Sequence, residues 1–94
     1  MAQFLLHHRV RDYQHFKAVF DAHASIRKLA GCKGGRLFRS TQDPNDVVIL
    51  FEWEDNAKAR TFAASQDLRQ AMERAGLAGR PEMHYLDEIE AFPA

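Results

Sequence analysis

The chain has 94 residues, with 13 Lys and Arg against 13 Asp and Glu, so its formal net charge is zero. This length makes one domain, residues 1–94, and the balanced charge argues against non-specific nucleic-acid binding, which needs a basic excess. A hydrophobic fraction of 46% belongs to a folded chain. The longest apolar run near the start, Phe4-Leu5-Leu6, is too short for a signal peptide or a membrane span. A lone thiol, Cys32, forms no disulfide within the chain and fits the cytoplasm.

Taken in order, Gln3 to Val10 reads as a strand with apolar residues on both faces, hence a central one. Asp12 stands where an N-cap belongs. Tyr13, Phe16, Val19, Phe20, Ile26 and Ala30 then recur at helical spacing, which predicts one helix that Gly31 stops. Gly34-Gly35 leads into a second strand, Arg36 to Ser40. The turn Gln42 to Asp46 carries Pro44, which fixes φ, flanked by Asp and Asn that bond their own backbone. Val47 to Trp53 is the strongest strand signal and pairs with the second strand as a hairpin. Asp55 caps a helical stretch from Asn56 to Ser65, broken near its end. Asp67 is expected to cap a further piece with Leu68, Ala71, Met72 and Ala75 on one face. Gly76, Gly79 and Pro81 are expected to end it, before a last strand from Met83 to Ile89.

The order β-α-β-β-α-β predicts an α+β, ferredoxin-like fold with an antiparallel four-stranded sheet. Right-handed crossovers place the first and third strands in the middle, where they are expected to lie parallel and adjacent. Helices cover one sheet face only. The bare face predicts a homodimer packed face on face, a dimeric α+β barrel burying at least about 1,200 Å².

The first helix holds the main anomaly. His23 lies at the centre of its apolar stripe and Arg27 one turn on, where a binary pattern would put apolar residues. Both are expected to be mostly buried. Either strand carbonyls or a carboxylate such as Glu52 or Glu88 satisfy them, or they line a ligand pocket between helices and sheet. His7 and His8 point to opposite sheet faces. His8 shares parity with Phe4, Leu6 and Val10 and is expected on the helix side, with His7 at the dimer interface or its rim. No metal is expected: His15 and His23 are two turns apart, and Cys32 is alone. No nucleophile elbow or phosphate-binding glycine motif is present. Phe51, Trp53, Phe62 and Tyr85 are either plain core or the walls of a flat pocket for an aromatic small molecule.

His8-x-Val10-x-Asp12-Tyr13, Gly34-Gly35-Arg36-Leu37-Phe38-Arg39, Asp43-Pro44-Asn45, Phe51-x-Trp53-x-Asp55 and Phe62-x-x-Ser65 together carry a resemblance. The chain resembles the dimeric α+β barrel superfamily, near the antibiotic biosynthesis monooxygenase-like proteins. That group includes cofactor-free oxygenases of aromatic polyketides, haem-degrading enzymes and polyketide cyclases. Many relatives have Glu at the place of Phe51 and His at that of Phe62. Since Phe62 cannot ligate iron, a haem-degrading role is not implied. The resemblance implies an oxygenase or cyclase without a bound cofactor, acting on an aromatic or polyketide-like compound. His23 or His8 would be the base and Arg27 the holder of an oxyanion, with Phe51, Trp53, Tyr85 and Phe62 against the ring. The alternative is a non-catalytic, small-ligand-binding or structural homodimer.

Overall fold

The computed structural model describes residues 2–94. Strands β1 (Ala2–Val10), β2 (Cys32–Arg39), β3 (Asp46–Trp53) and β4 (Leu77–Asp87) form one sheet in the order β2-β3-β1-β4. Between them lie α1 (Tyr13–Ala22), α2 (Ala24–Ala30), α3 (Asn56–Ala63) and α4 (Gln66–Ala75). Every adjacent pair is antiparallel, as the α+β ferredoxin-like pattern requires. The central pair β1 and β3 is therefore antiparallel, not parallel. The crossover returns β2 in the direction of β1 but one position away. The hairpin partner β3 fills that gap running the other way.

Side-chain parity fixes what each face does. Ala2, Phe4, Leu6, His8 and Val10 of β1, with Val47, Ile49, Phe51 and Trp53 of β3, point under the helices and are buried. Phe16 of α1, Ala59 and Phe62 of α3, and Leu68 and Ala75 of α4 close the same core. The opposite face carries Leu5, Val48, Leu50, Phe38 and Leu86, interleaved with Arg36, Glu52, Glu82 and His84. It is more polar than the strand patterns alone suggest. There His7 bridges two strands: Nε2 lies 2.8 Å from Asp46 and Nδ1 3.1 Å from Glu82. Those two carboxylates, Glu82 first, raise its pKa.

Several expected boundaries shift. The first helix is two, divided at His23, whose φ of −87° and ψ of 0° depart from regular helix values though still right-handed. Arg27 Nη1 donates to the Phe20 carbonyl at 2.8 Å, and a side chain bonding into the helical ladder accompanies such breaks. Beyond His23 the apolar stripe narrows: Ala30 still packs against the core, whereas Ile26 of α2 is exposed, as is Leu29 by 89%. Ser65, not Asp67, caps α4. Its hydroxyl accepts from the Leu68 N–H at 3.1 Å and donates to the Phe62 carbonyl at 2.7 Å, while Asp67 sits in the first turn, where a negative charge suits the helix dipole.

β2 begins at Cys32 rather than Arg36, because a bulge at the Gly34 side lets the chain pair earlier. β4 begins at Leu77 rather than Met83. Only Gly76 ends the helix, and Gly79-Arg80-Pro81 form a bulge in β4 opposite His8. That strand ends at Asp87, so Ile89 lies outside it and is 92% exposed. Among the described residues no helix is long and apolar enough to cross a membrane.

Candidate active site

Three polar side chains enter the space between α1, α4 and the sheet. His8 comes from the middle of β1, where its inward parity leaves it 5% exposed and edge-on to Phe16 at 5.5 Å. His23 comes from the break between α1 and α2. It is also 5% exposed and lies 6.0 Å from the Phe62 ring. Arg27 comes from α2 and is half-buried rather than mostly buried, its guanidinium stacked 4.0 Å over the Phe20 ring. All three line one narrow cavity of about 40 Å³, together with Leu6, Phe16, Phe51 and Phe62. On its β2 side the cavity shares Phe20, Arg27, Ile49 and Phe51 with an outer groove of about 240 Å³.

The hydrogen bonds of these groups are incomplete. His8 Nδ1 and His23 Nε2 are buried with no partner among the described residues. Neither Glu52 nor Glu88 reaches His23 or Arg27, and the one bond that Arg27 makes goes to its own segment at Phe20. Burial pushes the His8 pKa down to about 4. It also lowers that of His23, with the charge of Arg27 adding to the effect. Both imidazoles are thus neutral at physiological pH, the form that accepts a proton.

The neutrality of His8 has a consequence for stability. Its folded pKa lies below the unfolded value of 6.5, so the unfolded chain takes up the proton first. Stability conferred by the buried neutral ring is complete above pH ~6.5 and is lost as pH falls towards ~4, by about 3 kcal/mol. Urea unfolding at neutral pH and near pH ~4.5, compared with His8→Leu, checks this. The variant should lose that much less on acidification, and an equal loss in both proteins would refute the assignment.

The aromatic candidates divide. Phe51 and Phe62 line the cavity, and Phe51 also lines the groove. Trp53 is fully buried behind them, 4.9 Å from Phe62 and 6.4 Å from Phe51, and lines neither space. Tyr85 stacks on Phe4 at 5.3 Å beneath Arg60 and also lies outside both. His84 pairs with Leu5 on the opposite sheet face, away from His8. Among the described residues no three metal-ligating side chains gather. Phe20, Arg36 and Met72 are lining residues that sequence reasoning did not single out as site residues. The signal available for Phe20 was its position seven residues before Arg27 on the same stripe.

Residues 6–74 match the family described as antibiotic biosynthesis monooxygenase. No protein of curated function matches the chain by sequence. Solved structures share the fold. SnoaB, a cofactor-independent oxygenase from Streptomyces nogalater, superposes with a TM-score of 0.80 at 18% identity, over 99% of this chain and 97% of that one. A provisionally assigned antibiotic biosynthesis monooxygenase from Bordetella bronchiseptica gives 0.81 at 21% identity, over 95% and 97%. A similar assignment from Caulobacter crescentus gives 0.75 at 21%, over 95% and 90%.

Proposed function

The chain belongs to the antibiotic biosynthesis monooxygenase family, and from that premise we propose that it is a cofactor-independent monooxygenase or cyclase of an aromatic or polyketide-like compound. The observation that carries this reading is His23: a buried, neutral imidazole with an unpartnered Nε2, beside Arg27 and on the wall of the cavity. In this reading His23 takes a proton from an activated ring CH₂, with His8 as the second acceptor, and Arg27 holds the oxyanion of the resulting enolate. The electron-rich ring then reduces dioxygen. The CH₂ becomes a carbonyl with one oxygen atom, and the other leaves as water with the two hydrogens. A cyclase would use the same enolate to attack a carbonyl within the substrate.

The inner cavity is far smaller than the ~300 Å³ of a typical ligand site. The ring therefore enters through the groove, parting Arg27 from Phe20. Oxygen uptake with hydroxylated anthrones and naphthols, unchanged by chelators, tests the reading. No uptake and no change in any ring across such a panel would favour the non-catalytic dimer instead. That alternative draws on the small cavity and on the bond from Arg27 to Phe20.

The protein also acts as a homodimer in this reading, through the sheet face that carries Leu5, Val48, Leu50 and Phe38. These apolar side chains on one uncovered face support it. Sedimentation at micromolar concentration should give twice the monomer mass, and a monomer alone would overturn it.

A further inference from the structure

The size and walls of the inner cavity set what it can hold. Its volume is about 40 Å³. A water needs about 10–15 Å³ on this measure, so there is room for a small molecule and none for a ring. The walls are almost wholly carbon: Leu6 and Ile49 come from the sheet, Val19 from α1, and Leu68 and Met72 from α4. His8 and His23 stand in the same wall, but His8 Nδ1 and His23 Nε2 are covered, beyond the reach of a water-sized sphere. Arg27 turns its bonded N–H to the Phe20 carbonyl. A buried water needs two to four polar partners, and here it would meet carbon on nearly every side.

The cavity also lies where a second reactant is needed. It shares Phe20, Arg27, Ile49 and Phe51 with the groove on the β2 side. A ring in the groove and a molecule in the cavity therefore lie on two sides of one wall. Val19 and His23 border the cavity and also a surface groove of about 460 Å³, which His15 and Arg74 line as well. That second groove gives a small molecule a route to the cavity that a ring on the β2 side does not block.

Resting on the proposed reading of this site, we infer that the inner cavity is a dioxygen-binding site, a chamber behind the groove that admits an apolar diatomic gas and excludes both water and the ring. Dioxygen is uncharged and apolar, so it loses little on leaving water and gains dispersion contacts with the carbon walls. Apolar cavities take up xenon for the same reason. Across the shared wall, the enolate formed by His23 passes electrons to the gas, and the ring carbon bonds one oxygen atom. The O–O bond then breaks. The carbon becomes a carbonyl, and the second oxygen leaves as water with the two hydrogens of the CH₂. Arg27 lines both spaces, so it serves the negative charge as that charge moves from the enolate to dioxygen.

Methyl NMR spectra of the intact protein under xenon and under dioxygen test this without any turnover. Xenon should shift the methyls of Leu6, Val19, Ile49 and Met72 saturably. Dioxygen, which is paramagnetic, should relax them faster than those of Val47, which is fully buried but lies outside the cavity. Ala71→Leu fills the cavity from α4 and should remove both effects. It should also raise the KM for dioxygen about three- to ten-fold while leaving the KM for the ring unchanged. Should Ala71→Leu fail to fold, the two gas titrations of the wild type still decide. Oxygen uptake by a protein whose cavity methyls answer neither gas overturns the dioxygen site and leaves the enzyme reading standing. Water-to-methyl cross-relaxation that xenon does not displace shows an ordered water there and overturns the site as well. Gas binding at those methyls with no uptake on any ring keeps the gas site and overturns the enzyme reading.

Discussion

Trp53→Ala should lower stability by about 3–5 kcal/mol, enough to unfold much of a small domain at ambient temperature. The indole is fully buried at the end of β3, opposite Ala2 on one side and Cys32 on the other, and packs on Phe62 and Phe51. Removing it leaves a cavity at the point where β1, β3 and α3 meet, and rigid strands cannot collapse to fill it. Trp53→Phe should cost much less, because Nε1 is buried without a partner among the described residues and its loss returns part of the packing deficit. Urea midpoints of the two variants separate this role from a ligand wall. A wall facing an open pocket would tolerate alanine within ~1 kcal/mol, and that result would put the tryptophan back among the binding residues.

The alternation in β1 and β3 made the sheet and its buried face readable, since period-two patterning ties parity directly to side-chain direction. His8 was legible for the same reason: it stands among Phe4, Leu6 and Val10. His23 was legible as a polar residue on an apolar stripe, and the stripe located its burial correctly. What periodicity could not show was the break at that very residue. A break in the helix keeps its spacing in sequence while changing which residues of the next segment face the core, so Arg27 and Ala30 remain inward and Ile26, which read as core, is exposed. The early start of β4 was hidden by Gly79 and Pro81, which usually end elements but here form a bulge. The placement of Trp53 and Tyr85 outside the cavity depends on which aromatic stacks on which. That is a property of three-dimensional packing, and an aromatic count does not contain it.

His23→Leu is the substitution that separates chemistry from architecture. If His23 serves the fold, its loss strands a bonded partner and should cost about 1–3 kcal/mol. The structure shows a different environment: Nε2 is buried with no partner among the described residues, burial and Arg27 both disfavour the protonated ring, and Phe62 lies beside it. Leucine there removes an unsatisfied polar atom from an apolar setting, so the thermal midpoint should stay level or rise. Turnover should nevertheless fall by about a hundred-fold or more in kcat/KM, the usual contribution of a positioned base. The pH profile gives an independent reading. Because the His23 pKa is lowered, the acid limb of kcat/KM in the wild type should lie below the ordinary imidazole value of ~6.5, with activity held above it and lost as the ring protonates. A stable His23→Leu protein without that acid limb and without turnover is the expected result. A destabilised variant that still turns over its substrate would remove His23 from the chemistry and return it to the core.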